Sequence, residues 1–340
     1  MSYPARLFKA LSGGEVRCLA CIRRCRIAPG KRGWCRTREN QDGQLVSLIY
    51  GQIASLSLNP IEKKPVFHFL PGSRWLSVGS LGCNFRCPGC QNWQSAHADL
   101  DRELKSTRYI SPTALVQLAR KRQTAGISWT FNEPTIWIEY ILDAAPLAKQ
   151  AGLFTNIVTN GALTQKALDA LGPHLDVYRS DIKGFSASTY LALAQLPHYE
   201  EIFVAAERAR HRWGMHVELV TNIIPGLNDD NATLGGIARW IATRLVPETP
   251  WHVTRFYPAF SFQDRPATPL KTLLQAHAIG KVQGLKYCYL GNVPGHELEN
   301  TYCPHCQTLL IRREIFDVLE NRLRTGCCPE CRTPILGRWM

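Results

Sequence analysis

The sequence lacks any run of about 18 apolar residues and any apolar stretch behind Met1 to Lys9, so neither a membrane span nor a secretory leader is expected. Internal repeats and low-complexity tracts are also missing. With 45% hydrophobic and 20% charged residues, disorder, collagen and acidic-tail readings have no support. Negative charge is the scarcer sign: 27 Asp and Glu stand against 40 Lys and Arg, a net +13. A polyanionic partner is the first expectation from that balance. Locating the charge weakens it, because residues 1–72 carry +8, residues 301–340 carry +2 and the long middle only +3. The excess sits where the cysteines cluster, and metal-bound thiolate groups would offset it. No aromatic-interleaved basic helix or nucleic-acid-binding motif accompanies it, so nucleic acid is set aside as a partner.

What the chain has in abundance is cysteine, 13 in 340 residues. In the reducing cytoplasm expected for it, cysteines at short regular spacings read as metal thiolates rather than disulfides. They fall at 18–35, 83–90 and 303–331 and divide the chain into three expected segments, 1–72, 73–298 and 299–340. The first is rich in Gly, Arg and Pro and reads as strand through Val46 to Leu58. A βα rhythm then begins. Strand-like runs at 74–80, 127–131, 153–159, 175–182, 215–224 and 251–257 alternate with helical stretches such as Pro112 to Gln123, Ile136 to Lys149 and Leu234 to Arg244. Tyr287 to Leu290 adds a candidate last strand. Strands joined by crossover helices imply a parallel sheet, and about six units fit an incomplete (β/α)6 barrel.

Cys83-Asn84-Phe85-Arg86-Cys87-Pro88-Gly89-Cys90 directly follows the first strand of that rhythm. Three thiolates are one short of a structural zinc site and of a fully ligated 4Fe-4S cluster, so this C-x3-C-x2-C loop suggests a cube with one iron open to an outside ligand. On these residues the chain resembles the radical S-adenosylmethionine (SAM) superfamily. The resemblance implies that the open iron chelates SAM, whose one-electron cleavage gives methionine and a 5′-deoxyadenosyl radical. It also implies a low-potential electron donor such as flavodoxin or ferredoxin. One departure is visible: Gly89 stands where many relatives carry an aromatic residue, and Trp93 is the nearby candidate for that adenine contact.

Further strand ends extend the resemblance. Asn132 and Glu133, in Thr130-Phe131-Asn132-Glu133-Pro134, offer acceptors for the SAM ammonium. Asn160 and the pair Asp181 and Lys183 stand in strings like the D-T-N-G and D-I-K motifs of glycyl-radical-enzyme activases, with Val158 replacing the first aspartate. Lys183 is expected to pair with the SAM carboxylate, and Asp181 with Lys183 or a ribose. Asn222 ends the next strand similarly, while Asn160 reads equally well as a turn or cap residue. Substrate-side candidates are His252, Arg255 and His296, with His252 also reading as a core histidine; Glu62, Lys63 and Lys64 read as a solvated loop.

Cys303-x2-Cys306 and Cys328-x2-Cys331 have the arrangement of a zinc ribbon, which would fold a tail too small to hold a core alone. Cys327 is read as a spare and Cys288 as a buried apolar side chain. Cys18-x2-Cys21-x3-Cys25-x9-Cys35 reads either as a structural zinc site or as a second cluster. The N-terminal module, Asn59 to Pro65, Cys90-Gln91-Asn92-Trp93, Phe131 to Thr135 and Gly291 to Glu297 together resemble the radical SAM enzymes of the AmmeMemoRadiSam system, relatives of pyruvate formate-lyase activases. That implies linkage to Memo-type and AMMECR-type proteins. The rival readings are a glycyl-radical activase, a nucleic-acid modifying enzyme and a non-catalytic zinc-binding protein.

Overall fold

A computed structural model describes residues 2–339. Its centre is an eight-stranded sheet. The strands are β1 (Ser55–Pro60), β2 (Arg74–Gly79), β3 (Gly126–Trp129), β4 (Phe154–Thr159), β5 (Val177–Asp181), β6 (His216–Ile223), β7 (Trp251–Arg255) and β8 (Cys288–Gly291). They lie side by side in chain order, with β2 to β8 all parallel. β1 closes one edge as the antiparallel partner of β2, pairing Ser55 with Gly79 and Pro60 with Arg74. All six expected strands are present. Cys288–Gly291 makes a seventh parallel one, and the antiparallel edge was not foreseen.

Parallel strands are covered on both faces and so read as continuous apolar runs. Gly126–Trp129 is buried at every position. The crossovers are helices α1 (Pro112–Lys121), α2 (Ile138–Gln150), α3 (Gln165–Leu171), α4 (Ala187–Ala194), α5 (Glu200–His211), α6 (Asn231–Arg244) and α7 (Leu270–Val282). Several start where a side chain accepts an orphan helix amide: Ser111 from Ala114, Thr164 from Ala167, Ser186 from Thr189 and Asp230 from Thr233. Among the described residues no helix is long and apolar enough to cross a membrane.

The expected strand from Val46 to Leu58 is instead broken. Gln44–Ser47 and Gln52–Ile53 are separate strands, because the chain turns at Gly51, whose φ is +70°. The N-terminal segment builds two small three-stranded sheets, and the tail a third, β9 (Thr301–Tyr302), β10 (Leu309–Glu314) and β11 (Asp317–Asn321). Its apolar core is shared: Cys303, Leu310, Ile311, Cys328 and Ile335 pack with Phe67, Tyr287 and Tyr289 of the main body. Arg313 also reaches across, donating to the Phe67 carbonyl at 2.9 Å and to Thr301 Oγ1 at 2.8 Å.

Buried charge fastens the 62–72 segment to the sheet. Glu218, central in β6, accepts the Phe67 and His68 amides at 2.8 and 2.7 Å and contacts His216 and His252 through their Nε2 atoms at 2.8 and 2.7 Å. Burial alone would raise its carboxyl, but its two histidine partners hold it well below the usual range.

Candidate functional site

The carboxyl ends of β2 to β5 converge on a cavity of about 340 Å³, the place where parallel α/β folds put their chemistry. Cys83, Cys87 and Cys90 line it, on the loop that leaves β2. Asn132 pins the root of that loop, its Oδ1 accepting from the Ser80 amide at 2.9 Å and its Nδ2 donating to the Gly82 carbonyl at 3.1 Å. Gly82 must be glycine: its φ is +85°, and a Cβ there would lie 2.5 Å from Thr37 Cγ2. Cys83 Sγ accepts from the Phe85 amide at 3.3 Å and faces Asn160 Nδ2 at 3.8 Å. Asn160 Nδ2 also donates to Asn84 Oδ1 at 2.7 Å, and its own Oδ1 accepts from Ala162. Asn132 and Asn160 therefore hold backbone as well as facing the cavity.

Glu133 is buried at the head of the cavity. Its Oε1 accepts from the Thr135 amide and hydroxyl at 2.9 and 2.5 Å and from Thr159 at 2.7 Å, whereas Oε2 has one donor, the Asn160 amide at 2.8 Å. Burial raises its carboxyl despite these bonds. Across the cavity, Asp181 pairs with Arg179 and stands 3.5 Å from Lys183 Nζ. Burial would raise Asp181, but Arg179 and Lys183 outweigh it and keep the carboxylate low. Burial would likewise lower Lys183, but Cys87 and Asp181 hold it above its usual value. The pair is a fixed cation and anion at neutral pH.

Sequence reasoning missed one wall. Of the residues read as a solvated loop, Lys63 is exposed, but Lys64 is 4% exposed and Glu62 1%. Lys64 Nζ donates to Asn59 Oδ1 at 3.1 Å, lies 5.0 Å from the Phe131 ring centre, and is pushed down by burial to about 7. Phe131 itself has φ of +74°, a strained conformation held beside Gly79. Arg179, also missed, lines the cavity, and its buried Nε has no partner among the described residues. The two prolines bracketing Ile61 to Lys64 were the available signal for an ordered loop.

Other candidates go elsewhere. Trp93 is 40% exposed and stacks on Phe260 with ring centres 5.3 Å apart; the space beside Gly89 is filled by Phe256 and Phe262. Asn222 and Arg255 do not line the cavity, because its walls come from β2 to β5 while β6 and β7 lie farther along the sheet. The Asn222 carbonyl accepts from Asn228 Nδ2 at 3.0 Å, and that of Arg255 from Asn292 Nδ2 at 3.0 Å. His296 caps a turn, its Nδ1 accepting from the Leu298 amide at 3.1 Å. His252, spent on Glu218, lines a neighbouring cavity of about 200 Å³ with Glu62, Phe67, Thr254 and Phe316; Pro65 borders both cavities.

The tail cysteines are gathered. Cys303, Cys306, Cys328 and Cys331 have their sulfurs within 4.8 Å of one another, an arrangement that could hold a metal ion. Cys327 stands outside this group, and Cys288 is buried in the core.

Chemically, the main cavity offers three thiols that burial pushes up, Cys90 to about 11. They become thiolates there only beside a strong positive centre such as a metal. No fourth cysteine and no histidine is in its described wall. That donor set fits an iron-sulfur cluster with one open iron, and Glu133 Oε2 and Lys183 offer an acceptor and a cation for an amino-acid headgroup.

Comparison with known proteins agrees with this geometry. The radical SAM superfamily profile matches residues 77–236, the stretch that runs from the end of β2 through β6 and supplies all of the cavity wall except Lys63, Lys64 and Pro65. An uncharacterized protein of Methanocaldococcus jannaschii is 39% identical over 329 residues, 96% of this chain and 97% of that protein. An S-adenosylmethionine-dependent nucleotide dehydratase of Pseudoalteromonas ulvae is 30% identical over 107 residues, 28% of this chain and 35% of that protein. A radical SAM methyltransferase from Sphaerobacter thermophilus shares the fold at 15% identity, with a TM-score of 0.50 over 85% of this chain and 76% of its own. The three-cysteine loop at the carboxyl ends of a parallel sheet lies inside the matched stretch, and residues 77–236 of this chain belong to the radical SAM superfamily.

Proposed function

We propose that the chain binds a 4Fe-4S cluster through Cys83, Cys87 and Cys90 and SAM in the adjoining cavity, and generates a radical for hydrogen abstraction from a substrate. The observation that carries this is a cavity with three thiols, no fourth cysteine, and a fixed lysine beside them. When bound, the cluster and SAM supply one-electron cleavage to methionine and a 5′-deoxyadenosyl radical. The chain's own residues orient and enclose. Lys183, held as a cation by Asp181, pairs with the SAM carboxylate. Glu133 Oε2, with a single donor, takes the ammonium. Asn132 and Asn160 fix the loop, so the three thiols approach the cluster from a preset frame. The walls of Phe131, Pro65 and Lys64 exclude water from the reacting carbon.

In the same reading the sheet curves as the partial barrel, the tail group is a zinc ribbon, and the protein works in the cytoplasm with a low-potential donor. Affiliation with the AmmeMemoRadiSam enzymes, and hence with Memo-type and AMMECR-type proteins, rests on the sequence strings alone. The test is anaerobic reconstitution followed by reduction with SAM present. Formation of 5′-deoxyadenosine by the native chain and its loss in Cys83→Ser, Cys87→Ser and Cys90→Ser supports the reading. Undiminished SAM cleavage in any of these variants overturns it.

A further inference from the structure

We infer that Cys18, Cys21, Cys25 and Cys35 hold a second iron-sulfur cluster, placed to pass electrons to the Cys83 to Cys90 site, and not a single zinc ion. The electron path rests on the function proposed above; the cluster assignment does not.

The protein carries its own yardstick. One ion bonded at about 2.3 Å to each sulfur draws four thiolates to within about 4 Å of each other. The tail group is built that way, with Cys303 and Cys331 sulfurs 3.5 Å apart and Cys306 and Cys328 sulfurs 3.6 Å apart. Among the described residues it is the one group of three or more such ligand atoms within 4.8 Å. No three of the N-terminal sulfurs come that close, and neither do those of Cys83, Cys87 and Cys90. The N-terminal four nonetheless form one set. Cys18, Cys25 and Cys35 all lie within electrostatic reach of Cys21, and the Cys18 amide donates to the Cys25 carbonyl at 3.0 Å. A cube spreads its ligands over four irons and so needs a wider frame than one ion. Donors also point at the sulfurs, the Thr37 hydroxyl to Cys35 at 3.2 Å and the Trp34 amide to Cys25 at 3.5 Å, the kind of contact that tunes a cluster's potential.

The set abuts the triplet loop with no element between. Arg23 Nε donates to the Asn84 carbonyl at 2.6 Å and its guanidinium lies 4.3 Å from the Trp34 ring centre. Arg86, inside the triplet, donates to the Trp34 carbonyl at 3.0 Å. A Cβ on Gly82 would stand 3.1 Å from the Cys35 carbonyl oxygen. On the outer side, Cys25 lines a surface depression with Lys31, Arg36 and Arg86, where Arg32 is paired with Glu39 and Asp101. Five basic and three acidic side chains leave that rim net positive, which suits an acidic, low-potential one-electron carrier protein. The step balances simply: one electron enters from the reduced carrier, one leaves toward the triplet site, no bond changes and no proton moves.

The experiment is iron, sulfide and zinc analysis with electron paramagnetic resonance on reconstituted full-length protein. Three forms are compared: native, Cys18→Ala/Cys21→Ala, and Cys83→Ala/Cys87→Ala/Cys90→Ala. The native chain is expected to hold about eight irons and about one zinc, and each variant about four irons. In the triplet variant the dithionite-reduced signal should be insensitive to added SAM; in the N-terminal variant SAM should perturb it. A triplet variant with no iron and about two zincs overturns the cluster. An N-terminal variant without iron while the triplet variant keeps about four overturns the radical SAM reading instead. Should Cys18→Ala/Cys21→Ala fail to fold, the native and triplet totals still decide.

Discussion

Arg38 and Glu139 form an ion pair that is 1% exposed on both sides and joins the N-terminal segment to helix α2. Its geometry is bidentate, Nη1 to Oε1 at 3.0 Å and Nη2 to Oε2 at 2.6 Å, and Arg38 Nη2 also reaches the Ile136 carbonyl at 3.3 Å. Glu139 Oε1 accepts the Arg6 amide as well, at 3.1 Å. Glu139→Gln keeps that amide bond and the side chain's shape but leaves the guanidinium buried without its counter-charge. Stranding one partner of such a pair costs about 3–5 kcal/mol. Removing both charges, in Arg38→Met/Glu139→Gln, should recover most of that loss, giving a coupling of about 2 kcal/mol or more. Urea unfolding supplies the cycle, and hydrogen exchange locates the damage. Amides of residues 16–47 should lose protection by about a hundredfold or more in the single variant, while β3 to β6 change little. A single variant within about 1 kcal/mol of native, or a double variant as unstable as the single, refutes the argument that this pair secures the segment.

Three further outcomes follow from other parts of the structure. Cys303→Ser/Cys306→Ser should abolish metal binding by the tail group and raise hydrogen exchange over 301–339, with the main sheet intact because Phe67, Tyr287 and Tyr289 remain packed on it. Lys183→Met should weaken SAM binding by about 10- to 100-fold in calorimetry, the worth of one charge-assisted bond; unchanged affinity would place the carboxylate elsewhere. His68 is held neutral, its value driven down by burial to about 3, with ring nitrogens at the Leu336 carbonyl and Tyr289 hydroxyl. Unfolding below about pH 6.5 therefore takes up a proton there, so stability falls as pH drops from about 6.5 toward 3 by up to about 1.4 kcal/mol per unit. His68→Gln should reduce that slope by one proton, and an unaltered slope would show that His68 is already protonated when folded.

The sequence alone determined the order of βα units, since strand runs and helix caps are local: Ser111, Thr164 and Asp230 announce helix starts whatever packs around them. It also determined the triplet and the two cysteine pairs of the tail, because ligand spacing within a loop is a chain-local property. What only tertiary structure decided was which distant side chains share a cavity. Lys64 looks like any solvated lysine until the segment bracketed by Pro60 and Pro65 is seen folded over the strand ends, bringing its ammonium over Phe131. Asn222 and Arg255 have the strand-end positions that Asn160 and Asp181 have, yet the cavity is walled by β2 to β5, and no local pattern records where along a sheet a pocket stops. The spread of the N-terminal sulfurs is likewise invisible in C-x2-C-x3-C-x9-C, because spacing along the chain limits how near thiols can come, while packing against the triplet loop sets how near they do.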